Sequence, residues 1–124
     1  MAGDEPAVDA SQSPTLTKDN ALGAILGTAA YMSPEQARGK PVDKRTDIWA
    51  FGCCLYEALT AKAAFVGDTV ADTIAKIVER EPDWQALPEE TPALLRILLR
   101  RCLRKDMSGR LHDMADARIE IEEV

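Results

Sequence analysis

Nine consecutive residues, Ile48-Trp49-Ala50-Phe51-Gly52-Cys53-Cys54-Leu55-Tyr56, carry no charge, and Glu57 is the first acid after them. A helix turns once in about 3.6 residues, so this run, wound as a helix from Asp47, is apolar around its whole circumference. Such a helix has no side to give to water and must be surrounded. Thr46 or Asp47 is placed to cap its first exposed N–H groups. The run therefore demands a fold in which other elements are built around one central helix.

The remaining periodicities supply those elements. Thr69-Val70-Ala71-Asp72 is a capping-box variant with Asp in the place of Glu; Val70, Ile74, Ile77 and Val78 follow on one face, and Pro82 stops the helix. This second helix, spanning Thr69 to Arg80, is amphipathic and expected to be half exposed. A third begins at Thr91-Pro92, a cap residue before a first-turn proline, and carries Leu94, Leu95, Leu98, Leu99, Cys102 and Leu103 at helical spacing. Arg96, Arg100, Arg101, Arg104 and Lys105 gather towards its C-terminal half, where they complement the helix dipole and are expected to stay solvated. Asp113 to Val124 reads as a final short helix with Ala117 and Ile121 inward. No strand pattern and no repeat stands out, so the predicted class is mainly α.

Composition narrows the function classes. Fifteen Lys and Arg against 21 Asp and Glu give a net charge of −6, which repels nucleic acid and anionic lipid alike. No apolar run approaches the roughly 18 residues of a membrane span, and Met1-Ala2-Gly3-Asp4-Glu5 lacks the basic and apolar regions of a signal peptide. The expected location is cytoplasmic. Cys53, Cys54 and Cys102 form neither a CxxC pair nor a disulfide framework, and they read as small buried hydrophobes. His112 is the single histidine, with no second ligand at a suitable spacing, so no metal site is expected. The first two dozen residues, rich in Ser, Thr, Asp, Gly and Pro, cannot bury enough surface to order themselves. Ser11, Ser13, Thr15 and Thr17 are linker hydroxyls or phosphorylation sites.

Three motifs occur in a fixed order. Gly27-Thr28-Ala29-Ala30-Tyr31-Met32-Ser33-Pro34-Glu35 is followed eleven residues later by Thr46-Asp47-Ile48-Trp49-Ala50-Phe51-Gly52, and further on by Cys102-Leu103-Arg104-Lys105-Asp106 with Gly109-Arg110-Leu111. The first resembles the end of a protein kinase activation segment, with Ser33-Pro34-Glu35 where the family has Ala-Pro-Glu. The second resembles the start of the central helix of the kinase large lobe, and the third the segment that supplies the arginine partner of that glutamate. Ala37-Arg38-Gly39 and Val42-Asp43-Lys44-Arg45 make the bacterial serine/threonine kinases the subgroup it most resembles. Met107, Ser108 and Ala61 depart from the pattern: relatives commonly have proline and a basic residue at the first two, and glycine at the third.

The resemblance implies residues 27–124 as a partial kinase large lobe without the β-sheet of the small lobe, preceded by a flexible activation-loop-like segment over residues 1–26. It implies that Thr28 faces the catalytic loop, and that Ile25, Ala29 and Met32 shape the pocket for the substrate residue after the phosphoacceptor. Glu35 and Arg110 would form a structural ion pair, Asp47 would brace the catalytic loop, and Trp49 would pack it against the central helix. Protein substrates or regulators are the implied partners, with ATP and magnesium as cofactors of a complete kinase.

Phosphoryl transfer needs a glycine-rich loop, a phosphate-binding lysine, a catalytic aspartate and metal ligands. None can be assigned here. Gly23 and Gly27 do not form GxGxxG, no His-Arg-Asp occurs, and Leu111-His112-Asp113 lies too late in the order. Ala50-Phe51-Gly52 resembles a degraded Asp-Phe-Gly but follows Ser33-Pro34-Glu35 instead of preceding it, and Ile74-Ala75-Lys76 comes later still. The sequence thus predicts no catalytic residue, no cofactor and no activity in this chain alone, as for a fragment, a truncated gene or a late start within a longer kinase gene. On that view Ile48, Trp49, Phe51 and Leu55 lose cover, and the exposed apolar surface favours self-association. Two other readings remain: a stand-alone docking module presenting the Thr69–Arg80 helix, and an unrelated small helical bundle.

Overall fold

The computed structural model describes residues 28–122, and all of its regular structure there is helical, with no strand among the described residues. The short helix α1 (Pro34–Ala37) starts in a complete capping box. Ser33 Oγ accepts from Gln36 N–H, and the Gln36 side chain accepts from Ser33 N–H at 2.9 Å. Pro34 sits in the first turn, where its missing N–H costs nothing.

The central helix α2 (Lys44–Thr60) begins three residues before the expected start. Its cap is Asp43, whose carboxylate accepts from Arg45 N–H at 2.8 Å, and not Thr46 or Asp47. Thr46 is buried and turned instead towards Glu35. The helix ends at Ala61 in the left-handed conformation, with φ 60°. The glycine of comparable helices would adopt that conformation without a Cβ penalty.

Helix α3 (Val70–Glu79) follows the expected frame: Thr69 Oγ1 accepts from Asp72 N–H, and Ile77 is buried while Val70, Ile74 and Val78 are partly so. Helix α4 (Ala93–Cys102) does not use Thr91 as its cap. Pro92 holds the cap position without a side-chain bond, and Thr91 Oγ1 is buried without a partner. A 3-10 turn at Trp84–Ala86 precedes α4, another at Met107–Gly109 follows it, and α5 (Met114–Glu122) closes the described region.

Helix α2 contributes to three small cores. Ile48 packs with Leu98, Cys102, Leu111 and Ala117; Trp49 and Cys53 pack with Phe65, Ile77 and Leu103; Tyr56 packs with Leu87 and Leu99. Gly52 is required where α2 meets the end of α4, because a Cβ there would lie 2.8 Å from Cys102 Cβ and 2.9 Å from Leu103 Cδ2.

Helix α2 is nevertheless not surrounded by the described elements. Cys54 is exposed, Phe51 and Leu55 are only half-buried, and the described elements cover the opposite side. Ile48 and Trp49, expected to lose cover, are fully buried because α4, α5 and the 62–65 loop reach them. Other corrections share one cause, the direction a short helix presents to its neighbours. Leu94 and Ile121 point to solvent, whereas Ala117 is fully buried. The basic end of α4 is not simply solvated. Arg96 donates to the carbonyls of Thr91 and Pro88, the Arg100 guanidinium lies 4.6 Å over the Trp84 ring, and Lys105 donates to the Ile77 carbonyl at 2.6 Å beneath α3. These long side chains satisfy loop carbonyls that no helix neighbour reaches.

Candidate functional site

A buried ion pair joins residues 75 positions apart. Arg110 Nη1 and Nη2 donate to Glu35 Oε2 at 2.7 Å and Oε1 at 2.9 Å, a two-point match of a planar fork to a carboxylate. The remaining donors of the guanidinium are also used: Nε reaches the Arg104 carbonyl at 2.9 Å, Nη1 the Arg45 carbonyl at 2.9 Å and Nη2 the Lys105 carbonyl at 3.3 Å. Thr46 Oγ1 gives Glu35 Oε2 a further bond at 2.9 Å. A buried charge is tolerated only when its hydrogen-bonding capacity is filled. Here α1, the first turn of α2 and the loop after α4 converge to fill it.

The electrostatics follow from that geometry. Burial alone pushes the Glu35 carboxyl up, but the bonds from Arg110 and Thr46 and the guanidinium charge outweigh it, and the group is held below its ordinary value. Trp49 lies beside the pair, with the Arg110 guanidinium 5.1 Å from its ring and Phe65 stacked on it at 5.3 Å and 14°. Lys105 adds a second cation, 4.6 Å from the Phe65 ring, and burial depresses its pKa. The cations lie against ring faces that attract positive charge.

The segment just before α1 is pinned to this frame. Residues 28–32 form a turn closed by bonds from Tyr31 N–H to the Thr28 carbonyl and from Met32 N–H to the Ala29 carbonyl. Tyr31 Oη donates to Glu57 Oε1 on α2 at 2.5 Å. That bond, aided by burial, pushes the Tyr31 hydroxyl up to about 12. Glu57, the first charge after the apolar run, was a visible signal for such a contact; Tyr31 as its partner had none. Met32 packs beside the Trp49 core, Ala29 is buried and Thr28 is exposed at the edge of the turn. Asp47 is exposed in the first turn of α2. Ile25 and the four hydroxyls Ser11, Ser13, Thr15 and Thr17 lie outside the described residues.

No group of three His, Cys, Asp or Glu side chains among the described residues is placed to hold a metal ion. Phe51 and Gly52 sit inside α2, and Lys76 donates to the Val66 carbonyl. The described donor set therefore does not fit magnesium, and no chemical step is assigned through it.

The protein kinase domain model matches residues 8–118, which include the whole of this geometry. The chain belongs to the protein kinase family. The unrelated-bundle reading is thereby excluded. A probable serine/threonine-protein kinase of Streptomyces coelicolor is 42% identical over 101 residues, covering 80% of this chain and 15% of that protein. The serine/threonine-protein kinase PknB of Mycolicibacterium smegmatis is 37% identical over 100 residues, 79% of this chain and 16% of the relative. A probable serine/threonine-protein kinase of Corynebacterium efficiens reaches 49% over 59 residues, 48% of this chain and 9% of its own length. The chain thus spans about one sixth or less of the kinases it matches. No described helix is long and apolar enough to cross a membrane.

Proposed function

We propose that this chain is the substrate-side helical portion of a serine/threonine protein kinase, whose complete form transfers the γ-phosphate of ATP to protein hydroxyls. On this reading residues 1–26 are activation-loop-like and 27–124 belong to the large lobe. The observation that carries it is the buried Glu35–Arg110 pair, with Tyr31 tied to Glu57. Together they anchor both ends of the 31–35 segment to α2 and the loop after α4. On this reading Thr28 and Met32 face a peptide from a rigid base to which buried Ala29 belongs, as a surface that positions a peptide requires. Ile25 would complete that surface, and Asp47 and Trp49 would support a catalytic loop against α2. Ser11, Ser13, Thr15 and Thr17 are the candidate phosphorylation sites.

The chain alone is inactive on this reading, because its sequence holds neither the phosphate-cradling loop nor the catalytic aspartate. Incubation with radiolabelled Mg-ATP and a generic protein substrate tests it: no transfer of label is expected, and labelled substrate would overturn the inactivity. The kinase is cytoplasmic on this reading and its partners are protein substrates and regulators, not nucleic acid or membrane. Exposed Leu94, Ile97 and Ile119 favour self-association, and sedimentation as a monomer across a concentration series would remove that element. A second reading, a docking module, draws on a cavity of about 330 Å³ along α3, lined by Val66, Asp72, Ala75, Lys76 and Arg80. A pull-down in which no kinase substrate or regulator is retained would count against it.

A further inference from the structure

A group of cations outside the ion pair lies beside it. A cavity of about 370 Å³ is walled by the end of α1 and by the turn that follows α4, with Pro34 and Met107 as apolar lining and Arg38, Lys40, Lys105 and Asp106 as charged lining. Glu35 forms part of its floor.

The chemistry of these groups is unbalanced. Glu35 is already neutralised by Arg110. Asp106 turns its carboxylate inward to its own 3-10 turn, accepting from the N–H of Ser108 at 3.0 Å and its hydroxyl at 2.9 Å. Lys105 is spent on the Ile77 carbonyl. Arg38 and Lys40 are exposed, and neither side chain makes a hydrogen bond or ion pair among the described residues. A chain of net charge −6 has many carboxylates with which such cations could pair, yet these two stand open at one cavity rim.

Their backbone is fixed as well. Gly39 between them takes φ 68°, a left-handed conformation, and the turn is closed by bonds from Gly39 N–H to the Gln36 carbonyl at 3.1 Å and from Lys40 N–H to the Glu35 carbonyl at 2.9 Å. The carbonyl accepting from Lys40 belongs to the residue held by Arg110, so the rim is anchored to the buried ion pair. Burial lowers the Lys105 pKa; among its charged neighbours Glu81 raises it and Arg38, by a smaller effect, lowers it.

We propose that this cavity is a binding site for a phosphate group, free or as a monoester, with Arg38 and Lys40 as its direct ligands and Lys105 as a fixed background charge. A phosphorylated Ser or Thr carries about −1.5 to −2 charges and three acceptor oxygens, which suits an open guanidinium and ammonium on either side of a glycine turn. Met107, partly exposed, gives the adjoining carbon atoms an apolar contact.

Titration calorimetry of the whole chain with inorganic phosphate, a phosphoserine peptide and the same peptide unphosphorylated tests the assignment. Both phosphate carriers are expected to bind and the unmodified peptide is not. Tighter binding of the phosphopeptide identifies a phosphorylated chain as the source, and equal binding identifies the free anion. The doubly substituted R38Q/K40Q chain should bind at least about tenfold more weakly, and the charge reversal Lys40→Glu should also weaken binding. Both residues are exposed, so the circular dichroism spectrum should not change. The proposal is overturned if neither phosphate species binds better than the unmodified peptide, or if R38Q/K40Q retains wild-type affinity.

Discussion

Arg110 uses all of its donors inside the protein, and that sets the consequence of losing it. Arg110→Ala would strand the Glu35 carboxylate, which is almost wholly buried, and remove the donor to the carbonyls of Arg45, Arg104 and Lys105. Breaking one partner of such a pair costs about 3–5 kcal/mol, far above the usual effect of a surface change. Urea unfolding followed by tryptophan fluorescence should show that loss, and a change below about 1 kcal/mol would mean the pair is not the anchor described here. The cysteines make a second residue-scale case. Burial pushes the Cys53 thiol up to about 12, and Cys102 is buried, but Cys54 is exposed on the uncovered side of α2. Reactivity follows thiolate fraction and access. In the folded chain an alkylating reagent should therefore modify Cys54 alone, with Cys53 and Cys102 labelled only in denaturant, as peptide mass spectrometry would read. Equal labelling of adjacent Cys53 and Cys54 would contradict the burial pattern. The sequence made these two cysteines indistinguishable, since both stand in one apolar run.

Helix α2 shows how the same small residue can be needed in one place and missed in another. Glycine inside a helix is about 1 kcal/mol worse than alanine, so Gly52→Ala should stabilise an isolated helix. Here the added methyl would sit under 3 Å from Cys102 and Leu103, and overpacking of that kind costs about 1–3 kcal/mol. The clash outweighs the propensity, and a fall in the melting temperature is expected. Ala61 is the opposite case. Its left-handed φ of 60° carries a Cβ penalty of roughly 1–2 kcal/mol, so Ala61→Gly should raise the melting temperature, less a part returned through the freer unfolded chain. If both variants move the transition in the same direction, either the close approach at Gly52 or the left-handed strain at Ala61 does not govern stability. Element types and order were legible because apolar spacing and caps are local signals: Thr69 caps α3, and α3 and α5 keep close to their expected bounds. The beginning of α2 was misplaced because Thr46 looks like a cap while its hydroxyl is taken by Glu35, and Asp43 does the capping. Thr91 failed as a cap although its residue type suits the role.

At the scale of the whole molecule, acid is the condition that should undo the fold. Glu35 is held below its ordinary 4.5, and Asp43, bonded by the Arg45 side chain and backbone, is lowered from 3.8 to about 2. Depressed carboxyls stabilise the folded state fully above their unfolded pKa, and that contribution is lost as pH falls through the folded values. The midpoint in urea should therefore be flat near neutrality and decline below about pH 4.5 towards pH 2. Glu35→Gln should be less stable at neutral pH and decline less steeply, and an equally steep fall in that variant would assign the acid sensitivity elsewhere. By itself the sequence determined the helical class, the central apolar helix and the ordered motifs that mark the kinase family, because periodicity, capping residues and motif order are written along the chain. Tertiary structure decided the rest. Which side of α2 is covered, which cysteine meets water, how Tyr31 finds Glu57 and why Arg38 and Lys40 stay unpaired all depend on distances between segments far apart in sequence. No local signal encodes those distances, and packing sets them only once the helices have met.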